Sequence, residues 1–209
     1  MPGIIAYGGY VPRLRLQRKS MAEANAWFNP GLAGYAKGER AICNWDEDAV
    51  TMAVEAERDA LHRRSRDTLG TVILASTTAP FEDPQNSTIT AQALGVAGRI
   101  ETSDLAGSQR AGTTGLIVAA DRVVARGGAA LVIAAEKRRT AAGSLAELTS
   151  GDGAAAVLVA PGDGIARMVG SASSAVDFVD HYRGRGQDFD HRWEERWIRD
   201  EATSRSSPR

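Results

Sequence analysis

The sequence predicts an α/β fold in which one sheet is covered by helices on both faces. Apolar and β-branched runs at 71–76 and 129–135 are typical of strands buried on both sides. Segments with helical periodicity lie between such runs, which favours strands and helices that alternate along the chain. The chain has 209 residues, of which 43% are hydrophobic, and this is enough for one sizeable core.

The first third of the chain predicts one strand and one amphipathic helix. Residues 4–11 are β-prone and end at Pro12. A polar, glycine-rich connection follows, and Asp46 is predicted to cap a helix whose first turn is acidic. The apolar stripe of this helix consists of Ala49, Met52, Ala53, Ala56 and Ala60. Its opposite, solvated face carries Glu55, Arg58, Asp59 and His62.

The remaining strands and helices follow from alternating apolar runs and helical periodicity. Strands are predicted over 71–76, 99–104, 129–135 and within 151–160, and helices over 87–94 and 110–126. The second of these helices ends at Gly127 and Gly128 and is apolar nearly all round. The only charges inside it are Asp121, Arg122 and Arg126. We therefore expect this helix to lie in an interior layer.

The composition predicts one main domain and a different C-terminal segment. We assign residues 1–175 to one domain. Residues 176–201 are charged and aromatic, which predicts a segment that lies over a surface. Residues 202–209 read ATSRSSPR and are predicted to be a disordered tail.

Charge and cysteine content exclude several classes of function. A net charge of −1 and a pI near 6.3 lack the basic excess of a nucleic-acid binder. No apolar run is long enough to span a bilayer, and no leader segment is recognised, so we expect a cytoplasmic protein that does not bind membranes. Cys43 is the only cysteine and cannot form an internal disulfide. Three histidines without a cysteine cluster predict no metal site.

The turn before the helix over 110–126 is the candidate site for chemistry. Residues 104–116 read DLAGSQRAGTTGL, a small-residue turn between a strand and a helix. The free N–H groups and the dipole at a helix N-terminus favour negative charge and lower the pKa of a thiol. A nucleophile or an oxyanion would be stabilised there. An ordinary strand-to-helix connection without a catalytic role would have the same sequence pattern. This segment alone therefore fits both a catalytic turn and a purely structural one.

Four segments resemble hydroxymethylglutaryl-CoA synthases of the thiolase superfamily, especially the archaeal type. Residues 104–116 are similar to that family's nucleophile elbow, in which a cysteine precedes a basic residue and then Ala-Gly-Thr. Residues 37–61 resemble its Glu-Lys/Arg loop and the following helix. Residues 74–95 resemble its strand, proline-containing loop and helix. The segment GDGAAAVLV at 151–159 is similar to one shared with type III ketoacyl-ACP synthases.

This resemblance implies the N-terminal half of a thiolase-like fold, a mixed sheet covered by helices on both faces. It also implies acyl transfer or Claisen-type condensation on acyl-CoA thioesters. In that chemistry a cysteine takes the acyl group, a glutamate acts as general acid/base, and a histidine of the second half polarises the partner thioester. Aligned on residues 110–113, Gln109 stands at the cysteine position. Aligned on Ser76 and Pro80, Thr77 stands at the glutamate position, and the region of the histidine is missing from this sequence.

These departures imply an impaired enzyme or a protein with another role. A carboxamide is not a nucleophile, so Gln109 cannot form a thioester, although it can donate hydrogen bonds. A non-catalytic scaffold subunit of a thiolase-type complex is one alternative. A malonyl decarboxylase is another, because a glutamine at the cysteine position of related ketosynthases implies decarboxylation without condensation. Ser108 would be the nucleophile if the alignment slipped by one residue, but we expect no histidine near it.

Lys37 and Arg40 are the candidate residues for binding CoA. By resemblance their loop borders the CoA entrance, where cations would meet phosphate or pantetheine groups. A solvated loop without a ligand is the alternative. Acyl-CoA would be a substrate, and no cofactor is implied. In a complete thiolase fold the helix after Gln109 lies between two sheets, one from each half, so we expect a homodimer or a thiolase-type partner chain.

Other polar and aromatic residues are predicted to be structural. Cys43 precedes the capped helix and is expected to be a structural thiol. Glu82 and Asp83 share the loop of Thr77 but are not expected to replace the missing acid. The remaining histidines and a tryptophan pair are predicted to lie at the surface or to pack along its edge: His62, His181, His191, Trp193 and Trp197.

Overall fold

A mixed six-stranded sheet forms the centre of this computed structural model, which describes residues 1–62, 64–96, 98–175 and 180–206. In chain order the elements are β1 (Pro2–Tyr10), β2 (Leu14–Gln17), α1 (Arg18–Ala24), β3 (Glu39–Ile42), α2 (Ala49–Ala60), β4 (Leu69–Ala75), α3 (Asn86–Ala93), β5 (Glu101–Leu105), α4 (Ala111–Arg126), β6 (Ala129–Glu136), α5 (Leu145–Thr149), β7 (Gly153–Pro161), β8 (Ala166–Arg167), β9 (His181–Tyr182), β10 (His191–Arg192) and α6 (Glu195–Ser206).

The strand order in the central sheet is β5-β4-β6-β7-β1-β8. β4 pairs in parallel with β5 and with β6, whereas β7 pairs antiparallel with β6 and with β1. The carboxyl ends of β4, β5 and β6 therefore meet at one edge of the sheet. The turn before α4 follows β5 and lies at that edge.

Helices cover both faces of this sheet. α2 and α3 pack on one face, against alternate strand residues that include Val72, Leu74, Leu131 and Ile133. α4 packs on the other face, against residues that include Ile73, Val132 and Val159. Because β4 and β6 are buried on both sides, their sequences show no alternation of apolar and polar residues. The predicted α/β class is confirmed.

The amphipathic helix α2 begins two residues later than the sequence predicts. Its N-cap is Asp48 rather than Asp46. The Asp48 carboxylate accepts a hydrogen bond from the Thr51 N–H at 2.8 Å, and the Asp48 N–H donates to the Thr51 hydroxyl at 2.7 Å. This reciprocal pair satisfies two backbone donors at the helix start, which explains the later cap. All five residues of the predicted apolar stripe are buried, together with Val50, Val54 and Glu57.

The segment between β1 and α2 contains more structure than the predicted connection. β2 pairs antiparallel with β3, and α1 and a 3₁₀ turn (Pro30–Tyr35) lie between them. A small separate core joins this segment to α5, and it consists of Met21, Ala22, Leu32 and Leu148. Strands of four residues carry too little periodicity to be recognised in a sequence, and contacts with α5 stabilise them here.

Helix α4 has the predicted length, but its outer face is open. Gly127 follows its last residue with a φ of +69°, the left-handed conformation that ends many helices. A Cβ on Gly115 would lie 2.9 Å from Val132 Cγ1, so this glycine lets the helix approach β6 closely. On the far side, Val124 is 71% exposed. In the part of the chain that the structure describes, α4 packs on the central sheet, and Val124 on its far side is left uncovered.

A short hairpin and a helix form the C-terminal part of the structure. β9 pairs antiparallel with β10, and the Tyr182 ring stacks on the His191 ring with centroids 5.3 Å apart. The rings of Trp193 and Trp197 contact each other, with centroids 5.2 Å apart. The Glu194 carboxylate accepts hydrogen bonds from two backbone N–H groups in the first turn of α6. This capping contact stabilises the start of the helix.

The predicted limits of the C-terminal segment are only partly described. Residues 176–179, where the surface segment is predicted to begin, lie outside the described residues. Residues 202–206 belong to α6, whereas the sequence predicts a tail there, and 207–209 again lie outside the described residues. Within the described ranges, no helix combines the length and the apolar character that a membrane span requires.

Candidate functional site

The turn between β5 and α4 presents Gln109 at a helix N-terminus. Gly107 has a φ of +75°, which glycine adopts without strain, and reverses the chain after β5. The Ser108 hydroxyl accepts a hydrogen bond from the Arg110 N–H at 3.1 Å, and the Ser108 carbonyl accepts one from the Ala111 N–H at 3.0 Å. Gln109 directly precedes the N-cap residue of α4 and lies at the positive end of the helix dipole.

Gln109 contacts a histidine from the C-terminal hairpin. The Gln109 Nε2 atom is 2.7 Å from His181 Nε2, and His181 Nδ1 is 2.6 Å from Asp180 Oδ1. Burial raises the pKa of Asp180, but the hydrogen bond and charge of His181 outweigh it and leave that pKa lowered. The sequence predicts no histidine near this turn. The structure differs, because β9 crosses the cleft and brings His181 to it.

Thr77 lies on the loop after β4 and is bound by Glu136 at the end of β6. The Glu136 Oε1 atom accepts a hydrogen bond from the Thr77 N–H at 2.6 Å. Its Oε2 atom accepts hydrogen bonds from the hydroxyls of Thr77 at 3.1 Å and Thr78 at 2.7 Å. A neighbouring strand thus supplies a carboxylate beside the position where the family's pattern has a glutamate. Three donors from one loop occupy Glu136, so it holds that loop in place.

An acidic residue between two arginines ties the hairpin to the rest of the site. Asp190 Oδ2 is 2.7 Å from Arg138 Nη2, and Asp190 Oδ1 is 2.7 Å from Arg183 Nη1. Arg183 also donates to the carbonyl oxygen of Thr77. The three charged side chains are largely buried, so removing one partner would leave an uncompensated buried charge. The cluster fixes the hairpin across the cleft.

Two clefts meet at the contact between Gln109 and His181. One has a volume of about 660 Å³ and includes Thr77 and the turn before α4. The other has a volume of about 450 Å³ and extends toward Arg138 and α5. Both are lined by Gln109, Asp180, His181 and Asp190. Their volumes are in the range of small-molecule binding sites in proteins.

The two predicted CoA-binding cations lie in different environments. Lys37 is exposed in the turn before β3. Arg40 is only 8% exposed, and its Nη1 atom donates to the Glu147 carbonyl at 2.5 Å. Arg40 therefore anchors β3 to α5 instead of facing a ligand with Lys37. Neither residue lines the two clefts around Gln109.

The other candidate groups are engaged in structural contacts. Cys43 is buried, its N–H donates to the Asp152 carboxylate at 2.8 Å, and burial raises the pKa of its thiol to about 12. Such a thiol is unreactive at neutral pH. Glu82 is exposed and forms an ion pair with Arg185 at 2.9 Å. In the described ranges, no three His, Cys, Asp or Glu residues are grouped so that they could hold a metal ion.

Known proteins that resemble this chain share one fold. No protein-family model matches the chain. It is 31% identical to the hydroxymethylglutaryl-CoA synthase of Methanocaldococcus jannaschii over 198 residues, which cover 90% of this chain and 56% of that enzyme. A solved structure of a hydroxymethylglutaryl-CoA synthase complexed with CoA matches 98% of this chain and 53% of that chain, with a TM-score of 0.84 and 19% identity. The chain is an N-terminal-half hydroxymethylglutaryl-CoA synthase-like protein.

The thiolase-like fold that the resemblance implies is confirmed. The priming β-ketosynthase of the R1128 polyketide pathway also shares it, with a TM-score of 0.68 and 25% identity over 78% of this chain and 50% of that chain. The hydroxymethylglutaryl-CoA synthase-like chain spans about half the length of the curated relatives it matches.

The family resemblance identified part of the site and missed the rest. Gln109 and Thr77 follow from aligned segments of the hydroxymethylglutaryl-CoA synthase-like sequence. Glu136 ends a strand without any motif around it. In the hairpin, the adjacent Asp-His pair is one weak indication of acid/base chemistry. No sequence pattern predicts that this pair lies beside the turn before α4. The missed residues are Glu136, Arg138, Asp180, His181, Arg183 and Asp190.

Proposed function

We propose that this chain binds an acyl-CoA thioester beside Gln109 without forming a covalent acyl-enzyme. One observation carries the proposal. A carboxamide occupies the turn at the N-terminus of α4, where the family's pattern has a cysteine, and it contacts His181 at 2.7 Å. An amide is not a nucleophile near neutral pH, so the first step of condensation has no acceptor for the acyl group.

Neighbouring side chains offer no substitute nucleophile. The Ser108 hydroxyl accepts from the Arg110 N–H, and among the described residues no hydrogen bond joins it to His181. The Thr77 hydroxyl donates to Glu136, which already accepts from two other donors. The Cys43 thiol is buried, with its pKa raised to about 12 by that burial. These contacts support a site that binds without covalent transfer.

The CoA part of the proposal rests on relatives and on the clefts. A similar hydroxymethylglutaryl-CoA synthase has been solved in complex with CoA. The larger cleft opens at the turn where the reacting thioester would lie. Lys37 is exposed and has no ion pair among the described residues, whereas Arg40 donates to the Glu147 carbonyl. We therefore assign the phosphate contact to Lys37 alone.

Binding of acetyl-CoA and transfer of its acetyl group to the protein can be measured separately. After incubation with acetyl-CoA, mass spectrometry should show an unchanged protein mass, while calorimetry should detect binding. Lys37→Ala should weaken that binding and flatten its dependence on salt, because a cation near a phosphate is lost. Lys19→Ala is the matched control, since Lys19 is exposed and pairs with Glu23 on α1.

Two results would contradict this proposal. A stoichiometric acetyl adduct at Ser108 or Cys43 would show that the nucleophile had been misplaced. A parent chain that does not bind acetyl-CoA in calorimetry would remove the CoA assignment. Gln109→Cys alone should not restore condensation, because Thr77 stands where the family's acid/base would be and the region of the family's second-half histidine is missing from this sequence.

Slow decarboxylation of malonyl-CoA is a second candidate, favoured by the amide at the helix N-terminus. The bond between the carboxylate and the methylene carbon breaks, carbon dioxide leaves, and the resulting thioester enolate takes a proton to give acetyl-CoA. The amide of Gln109 would stabilise the enolate oxygen. Release of carbon dioxide should disappear in Gln109→Ala and persist in Gln92→Ala, an exposed glutamine on α3. No turnover by the parent chain would eliminate this candidate.

A non-catalytic scaffold subunit in the cytoplasm is a third candidate, supported by the open face of α4 at Val124. In this role the chain would bind a thiolase-type partner chain or a second copy of itself. Acyl-transfer assays of the chain alone and together with neighbouring gene products distinguish this role. Activity that needs both chains, with no adduct on this one, is the expected result.

A further inference from the structure

We propose that Asp180 and His181 form an acid/base dyad beside position 109, in which His181 Nε2 exchanges a proton with a group bound in the cleft or placed at that position, and Asp180 is a positioning residue. The inference rests on the proposed function only in taking the turn before α4 as the reaction site. The two residues come from β9 and from the position before it, far from that turn in sequence.

The geometry defines the protonation of the imidazole. His181 Nδ1 lies 2.6 Å from Asp180 Oδ1, and a carboxylate can only accept. Nδ1 therefore carries the hydrogen, and Nε2 of a neutral ring has a free lone pair. The Gln109 amide nitrogen lies 2.7 Å from Nε2 and 3.4 Å from Nδ1, so the amide sits over the ring beside Nε2. The imidazole therefore lies against the residue that stands where the family's pattern has its nucleophile, close enough to exchange a proton with a thiol placed there.

Asp180 orients the His181 ring, because the other carboxylate nearby is engaged by arginines. Asp190 lines both clefts, but each of its oxygens is paired with an arginine, Arg138 or Arg183. Among the described residues, Asp180 is the one carboxylate hydrogen-bonded to His181. The cations that line the two clefts are Arg110, Arg138, Arg183 and Arg192. Asp190 neutralises Arg138 and Arg183, so Arg110 and Arg192 are the lining cations that have no ion pair among the described residues, and they suit an anionic acyl-CoA.

The hairpin that carries the dyad is attached to the loops around the site. The Asp190 N–H donates to the Arg139 carbonyl at 3.0 Å, and Arg183 donates to the Thr77 carbonyl. These contacts attach both strands of the hairpin to the loops around the site. The side chain of His181 is 24% exposed, so it is shielded but remains open to the cleft.

The tautomer of His181 in the parent chain is the first test. The chain has three histidines, so imidazole nitrogen NMR can resolve them individually. We expect the Nδ1–H tautomer for His181 and a shift toward Nε2–H in Asp180→Ala, because the acceptor at Nδ1 is lost. His62 is exposed and serves as an internal reference. A predominantly Nε2–H ring in the parent chain would overturn the dyad.

Alkylation of a thiol placed at position 109 is the second test. In Gln109→Cys, the thiol proton passes to His181 Nε2, the sulfur attacks the methylene carbon of iodoacetamide, a C–S bond forms and iodide leaves. We expect labelling at pH 7 about tenfold faster than in Ser108→Cys, whose thiol lies in the same turn. The double variant Gln109→Cys with His181→Gln should lose this advantage and label only at higher pH.

Equal alkylation rates with and without His181 would overturn the proposal. Iodoacetamide carries no CoA group, so this readout does not depend on acetyl-CoA binding. A chain that fails to bind acetyl-CoA but shows the His181-dependent rate would contradict the proposed function and leave the dyad supported. The opposite pair of results would contradict the dyad alone.

Discussion

At the residue scale, Glu57 is a carboxyl group on the buried face of α2. It is 0% exposed, and neither carboxylate oxygen has a hydrogen-bond partner among the described residues. The nearby Thr90 hydroxyl donates to the Ser87 carbonyl instead. Burial raises the pKa of Glu57 to about 7, against smaller opposing effects of Thr90 and Arg58. The folded protein therefore holds a proton that the unfolded chain releases at lower pH.

Glu57 makes the stability of the fold depend on pH. Because its folded pKa is above its unfolded value of about 4.5, its favourable contribution is complete below pH 4.5 and is lost as pH rises through about 7. Glu57→Gln should raise the free energy of unfolding at pH 8 by an amount on the order of 3 kcal/mol and change little at pH 4.5. Urea unfolding at both pH values measures this.

The control for this prediction is Glu55→Gln on the solvated face of the same helix. Glu55 pairs with Arg58 at 2.5 Å and is about half exposed, so its removal should leave the shape of the stability curve unchanged. If Glu57→Gln lowered stability equally at both pH values, Glu57 would be bound by a polar group and not left unpaired.

At the scale of elements, the contact between β1 and α2 depends on one glycine. A Cβ on Gly8 would lie 2.2 Å from the Ala60 nitrogen and 2.6 Å from the Ala56 carbonyl oxygen. Both are backbone atoms of a helix and cannot move aside individually. The stripe of alanines on α2 and this glycine on β1 together let the helix lie close to the sheet.

Gly8→Ala should destabilise the fold by about 3 kcal/mol or more, because the added methyl group would push α2 away from β1. Gly9→Ala should change stability by less than about 1 kcal/mol, since a Cβ there would lie 3.7 Å from the Ala154 carbonyl oxygen, an ordinary contact. Thermal unfolding of both variants makes the comparison. Similar melting temperatures would show that α2 can move outward at little cost.

At the scale of the whole molecule, the sheet covers one side of α4 and leaves the other open. The exposed residues of α4 are Thr113, Asp121, Val124, Ala125 and Arg126, and two of these five are charged. The chain matches about half the length of its curated relatives. An open, mostly uncharged helix face of this kind is normally an interface.

We therefore predict a homodimer or a complex with a partner chain that covers the outer face of α4. Light scattering after size-exclusion chromatography should give a mass above 22.1 kDa for the chain or its complex. Val124→Asp should shift the mass to that of a monomer, because a charge would be buried in the interface. Val169→Asp, at an exposed valine beyond β8, should not. A stable monomer that binds no hydrophobic dye would contradict the prediction.

The sequence determined the order and type of the main elements because their signals are local. Apolar runs, helical stripes and terminating glycines lie within a few residues of one another, and these patterns correctly predict β4, β6, α2 and α4. The resemblance in aligned segments located Gln109 and Thr77. The cap at Asp48 was missed by two residues, because only the geometry of Thr51 shows which acid reaches the helix N–H groups.

Only the tertiary structure decided which side chains surround Gln109. His181 and Asp190 are separated from Gln109 by 72 and 81 residues. Contacts between residues so far apart produce no local pattern in the sequence. The burial of Glu57 could not be predicted from the sequence either, because a charged residue in an amphipathic helix is expected on the solvated face. Local patterns specify elements, whereas a site depends on how distant elements pack, and packing is a property of the whole fold.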